Sequence, residues 1–168
     1  VYNFLKLELE LLEKGDEVQI IALEAPLSRT LNHPNLPLPV TIAGNVDRIE
    51  LRNDKIRIID YKTGKVNGNS LKIQDFGDLT SDIKNEKIIQ LLCYALMFEN
   101  HELKQNREVS AGIVSFKNKK NGFLPFGLGI GKDAELVISN DILEDFKSEL
   151  ETLILEIFNP EIPFKEKV

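Results

Sequence analysis

One cysteine, Cys93, stands in the 168 residues, and that scarcity excludes an internal disulfide and any four-cysteine metal cluster. No apolar run approaches the ~20 residues that a membrane span needs, and no signal-peptide pattern opens the chain. The expected setting is therefore a reducing cytoplasm, with no membrane partner. Basic excess is also missing. Lys and Arg total 21 against 27 Asp and Glu, a net charge of −6. Proteins that hold nucleic acid by charge alone are usually basic. Any nucleic-acid role here must rest on a local basic patch, a bound cation or help from another domain.

The hydrophobic fraction of 42% and the charged fraction of 29% are ordinary for a globular domain, and the length allows a real core. Val1–Lys14 reads as the body of a helix, with leucines at 5, 7, 9, 11 and 12 between charges and no convincing N-cap before them. We expect residues 1–168 to form a single domain that is a fragment of a longer protein. Gly15-Asp16 closes the helix, and Glu17–Leu27 reads as a strand. Asn32–Pro39 is too rich in Pro and Asn to be helical. Val40–Arg52 and Lys55–Lys62 are β-rich runs around Asn53-Asp54, a hairpin signal. Thr63–Asp82 reads as a loop with at most a short turn. Lys84–Asn100 is a helix with Ile88, Leu92, Ala95 and Leu96 on its buried stripe. Val109–Lys117 and Leu124–Ile130 form a second strand pair around Asn118–Gly122. Asp141–Phe158 is a final helix, capped by Ser139, Asn140 or Asp141 and stopped by Asn159-Pro160. This order predicts an α/β (α+β) fold, a central mixed sheet of about five strands flanked by helices.

A turn centred on Asn53-Asp54 sets residues whose numbers sum to 107 opposite each other. Asp47 then faces Asp60, and side-chain alternation puts Lys62 on the same face. Ile49, Leu51, Ile56 and Ile58 share that face nearer the turn, while Glu50 and Arg57 pair on the other as a solvent-side ion pair. Two facing carboxylates ~5 Å apart repel by ~3 kcal/mol at an effective dielectric of ~20. Either one takes up a proton or a cation sits between them. Lys62 could supply part of that charge, and a hard divalent ion more. A purely structural Asp–Lys network at a strand end is the plainer alternative.

Gly44-Asn45-Val46-Asp47-Arg48, followed by Asp60-Tyr61-Lys62-Thr63-Gly64 and then Gln90-Leu91-Leu92-Cys93-Tyr94, resembles in order and spacing the core of PD-(D/E)xK nucleases of the RecB/AddB type. These motifs and their surroundings cover about a third of the chain, and the element order resembles the family's restriction-endonuclease-like core. The resemblance implies that Asp47, Asp60 and the backbone carbonyl of Tyr61 bind Mg²⁺ or Mn²⁺. Lys62 would orient or activate the attacking water and stabilise charge on the phosphate. Gln90 and Tyr94, four residues apart on one helical face, would brace the site or touch DNA. RecB-type nucleases commonly add a His or Glu from the helix before the first strand. Glu8, Glu10 and Glu13 lie on that helix, but Glu24 is the preferred further metal ligand. His33 and His101 read as bystanders. Lys117, Lys119 and Lys120 form a basic turn, solvated or touching phosphate. Some relatives end in clustered cysteines that hold an iron–sulfur cluster. Asn159–Phe164 resembles the approach to that segment, but no cysteine follows it here.

The implied function is a metal-dependent deoxyribonuclease, an exonuclease in recombination and repair whose partners are DNA and a helicase-like domain or subunit. The alternatives are an inactive nuclease-like module for DNA binding or scaffolding, and hydrolysis of some other phosphate ester.

Overall fold

The Asn53-Asp54 turn sets the register of the sheet. Both residues have positive φ, 50° and 61°, as a two-residue type I′ hairpin requires, and Asn and Asp adopt that conformation more readily than other side chains. The computed structural model describes residues 1–77, 79–104, 106–118 and 122–163. Numbering strands in chain order, β1 is Val18–Leu31, β2 is Val40–Arg52 and β3 is Lys55–Lys62. β2 and β3 pair antiparallel through Arg52–Lys55, Glu50–Arg57 and Arg48–Ile59, each pair summing to the expected 107.

β1 pairs antiparallel with β2 along its length and runs four residues past the expected Leu27. After β3 the chain forms β4 (Lys72–Ile73), helix α2 (Glu86–Phe98) and β5 (Val109–Ser115). β5 lies parallel to β3, a geometry that needs a long crossover, here supplied by α2. β6 (Phe123–Pro125) adds antiparallel to β5 and completes a mixed five-stranded sheet of order β1-β2-β3-β5-β6. Helices lie on both faces, as the sequence predicts.

Two segments depart from expectation. Thr63–Asp82 is more than a loop: it carries a 3-10 turn at Gly68–Leu71 and strand β4, and it sinks Leu71 and Leu79 into the core. Leu124–Ile130 is not one strand. It breaks at the fully buried Phe126, after which β7 (Gly127–Leu128) pairs with β4 in a separate two-stranded sheet. Glycine makes the switch possible, because a Cβ at Gly127 would stand 3.1–3.3 Å from Leu136, Ala134 and Lys72.

α2 carries the core. Ile88, Leu92, Ala95 and Leu96 are buried as expected, and so are Leu91, Tyr94 and Phe98. Helix α3 (Asn140–Phe158) packs against α2 and contributes Ile142, Leu143, Phe146, Leu150 and Ile154. Ser139 is its cap, the hydroxyl accepting from the Ile142 amide at 3.3 Å.

The other face of the sheet takes helix α1 (Tyr2–Glu13), none of whose residues is fully buried. Phe4 sets its ring edge-on to Tyr61 and Phe116, which stack on each other at 5.3 Å. Leu7 and Leu11 are half-buried, whereas Leu5, Leu9 and Leu12 face outward. Much of the remaining docking is ionic. Arg52, 2% exposed, bonds to Glu50, to Asp16 and to Glu8 of α1. The expected solvent-side pair of Glu50 and Arg57 is therefore corrected. Glu50 is 1% exposed and sits among Arg48, Arg52 and Arg57, because α1 and the chain around Asp16 close over that face. Burial works against the charge of Arg52, yet the hydrogen bonds to Asp16 and Glu50 and the nearby acids more than offset it and hold its pKa above the ordinary value.

Among the described residues, no helix is long and apolar enough to cross a membrane.

Candidate active site

The strand pairing that builds the hairpin ends just short of the candidate residues. The β2–β3 ladder stops at Arg48–Ile59, while β3 continues along β5 as far as Lys62–Ser115. The amide of Tyr61 is thus freed from β2, and the Asp47 carboxylate accepts from it instead, at 2.6 Å. Asp47 and Asp60 come to the same strand end through this parting, on the α2 side of the sheet.

Asp60 is 4% exposed. Burial pushes its carboxyl above the usual carboxylate range against the pull of Lys62, and the charge of Asp47 adds to the rise. Lys62 Nζ donates to Asp60 Oδ1 at 3.1 Å and stands 2.8 Å from Oδ2. The buried Asp60 carboxylate is thus held by one ammonium with Asp47 beside it, and two such hard oxygen donors suit a divalent cation.

Lys62 reaches across to α2, where Gln90 Oε1 accepts from it at 3.1 Å. An ammonium can only donate, so the amide oxygen of Gln90 must face it and the NH₂ is left for Tyr94. Gln90 Nε2 accordingly donates to the Tyr94 hydroxyl at 3.0 Å. Burial raises the Tyr94 pKa, with Asp60 and Asp47 adding to the effect against the pull of Gln90. Asp60, Lys62, Gln90 and Tyr94 therefore form one continuous polar chain.

Gly44 lets Tyr94 take this place. A Cβ there would stand 3.3 Å from Tyr94 Cε1 and 3.6 Å from Met97 Cε. Gly44→Val is expected to displace the Tyr94 ring and cost about 1–3 kcal/mol, read as a lowered midpoint in thermal unfolding.

The remaining sequence candidates lie apart. Glu24 is exposed, and the rungs Leu23–Arg48 and Ala25–Val46 set it opposite Asp47. It lies past an irregularity between Ile20 and Ala22 and has a φ of 47°. Among the described residues no three of His, Cys, Asp and Glu gather as a metal-binding cluster. Glu8 is committed to Arg52 on the far face, and Glu10 and Glu13 are exposed. His33 Nδ1 accepts from the Asn35 amide, and His101 stacks on Phe98 while accepting from Leu103. Lys117 is exposed; Lys119 and Lys120 lie outside the described residues.

Sequence reasoning missed two residues at the site. Glu86 and Lys87, in the first turn of α2, line an open cleft of about 340 Å³ together with Lys62 and Gln90. Their spacing three and four residues before Gln90 was the available signal, since it places them on the Gln90 face.

A mixed sheet with two carboxylates and a lysine at one strand end, braced from the crossover helix, defines a nuclease-like core. Residues 2–168 match the PD-(D/E)XK nuclease superfamily, and the chain belongs to it. No curated protein matches the chain. Among solved structures, that of SSO0001 aligns over 95% of this chain and 69% of its own, at 15% identity and a TM-score of 0.33. A likeness that loose carries no argument.

Proposed function

We propose that the chain is the nuclease domain of a RecB/AddB-type protein, a Mg²⁺- or Mn²⁺-dependent deoxyribonuclease that works as an exonuclease in recombination and repair beside a helicase-like domain or subunit. The observation that supports this reading is the buried Asp60 carboxylate, ion-paired with Lys62 and set beside Asp47 at one strand end. Asp47, Asp60 and the Tyr61 carbonyl would hold the metal, with Glu24, across the β1–β2 rung from Asp47, as a further acid. A divalent ion bound there would polarise the phosphoryl oxygen and lower the pKa of bound water.

The protein side chains do the rest. Lys62 presents a fixed cation where negative charge grows on the phosphate. Gln90 holds that ammonium by accepting a hydrogen bond from it, and the Tyr94 hydroxyl, accepting from Nε2, fixes the Gln90 amide in turn. Incubation with linear and circular DNA, single- and double-stranded, in Mn²⁺ or Mg²⁺ tests the reading. Wild type should shorten linear substrates, circles should survive, and Asp60→Ala should do neither. Equal degradation by both proteins would refute the assignment to this site.

A second reading, a nuclease-like module without activity, draws on the absence of a third acid beside the pair among the described residues and on the net charge of −6. Such a module would show no divalent-ion site that depends on Asp47.

A further inference from the structure

We propose that Lys87 binds a phosphate of the nucleic-acid backbone next to the scissile one, and that Glu86 is the counter-ion it releases when the strand enters. This inference rests on the nuclease reading and names a second contact in the same cleft.

Lys87 precedes Gln90 by three residues on α2, so it rises from the same helical face. Lys62 approaches Gln90 from the sheet at 3.1 Å. Two ammonium groups thus flank Gln90 in the cleft of about 340 Å³. A cation is out of place in the first turn of a helix, where the macrodipole favours negative charge. Glu86 offsets that charge, its carboxylate 2.7 Å from Lys87 Nζ.

The pair is uneven. The Lys87 side chain is 35% exposed and that of Glu86 64%, so the lysine is held toward the cleft while the glutamate lies largely in water. An exposed ion pair of this kind is worth little and opens readily. A phosphodiester offers the ammonium the same anionic oxygen chemistry, and releasing condensed counter-ions from DNA adds a driving force that Glu86 lacks. With a net charge of −6, the protein cannot hold a DNA backbone by its overall field, and paired lysines beside the centre supply the local charge.

The test is DNA affinity at a series of salt concentrations. It uses the full chain in EDTA, fluorescent single-stranded and duplex oligonucleotides, and the wild type with Lys87→Ala, Lys87→Arg and Glu86→Gln. Lys87→Ala should flatten the slope of log K against log salt by about 0.9 on duplex or 0.7 on single strands. Lys87→Arg should keep the wild-type slope, and Glu86→Gln should bind more tightly than wild type. An unchanged slope in Lys87→Ala, or weaker binding by Glu86→Gln, would overturn the proposal. If Asp60-dependent cleavage persists in that case, only the Lys87 assignment falls. If the wild type binds no DNA at any salt, the Lys87 assignment likewise falls, while the nuclease reading stands or falls separately on Asp60-dependent cleavage in Mn²⁺.

Discussion

Lys62→Ala is expected to slow DNA cleavage about 10²–10³-fold in single-turnover measurements, the loss typical of one preorganised electrostatic group aimed at transition-state charge. The expectation follows from where the ammonium is held. Lys62 Nζ lies 2.8 Å from Asp60 Oδ2 and is tethered to Gln90 at 3.1 Å, so little reorganisation is needed as charge develops. The side chain is one-third exposed, open to a substrate while anchored at both ends. Removing it also leaves Asp60, 4% exposed, without its nearest cation. The carboxyl would then move further toward its protonated form, which weakens metal binding. Measuring at saturating metal separates the two effects. A loss of less than tenfold under those conditions would mean that Lys62 is a structural partner of Asp60 and no more.

The second large effect concerns stability and lies on the opposite face. Glu50→Ala should destabilise the fold by about 3–5 kcal/mol, the cost of breaking a buried charge network by removing one partner. At this chain length that is a fall in Tm of roughly 6–20 °C. Glu50 is 1% exposed and contacts Arg48, Arg52 and Arg57. Its removal gathers three guanidinium groups around a vacated carboxylate. Burial already depresses the pKa of Arg57, and the charge of Arg52 adds to that. The Arg48 guanidinium also reaches the Tyr61 hydroxyl, at 3.4 Å, so the disturbance should extend to the strand that carries Asp60. Glu8→Ala, at a side chain 20% exposed, should cost far less. Equal melting of wild type and Glu50→Ala would show that the network contributes nothing to stability.

The contrast between these two faces explains what the sequence could and could not reveal. The register of the hairpin was legible because it is local: Asn53-Asp54 sets the turn, and alternation then assigns Asp47, Asp60 and Lys62 to one face. The burial of Glu50 was not legible, because alternating charges read as a solvated face. It depends on α1 docking, with Glu8 meeting Arg52 from 44 residues away. The contact between Gln90 and Lys62 spans 28 residues and joins a helix to a strand. It could be anticipated only through the family motif, whereas the shared helical face of Gln90 and Tyr94 followed from their spacing. Glu24 is a candidate through the family resemblance, and the irregularity at Ile20–Ala22 and its own positive φ are invisible in a β-rich run. The break at Phe126 was hidden because Gly127 serves a tertiary approach, not a turn.

The central claim is that Asp47 and Asp60 together form a divalent-cation site. Calorimetric titration of Mn²⁺ into wild type and Asp47→Asn tests it most directly, because it reads binding without requiring turnover or DNA. The account predicts a site of millimolar or tighter affinity in the wild type that disappears in Asp47→Asn. Identical heats in the two proteins, or none in either, would contradict it.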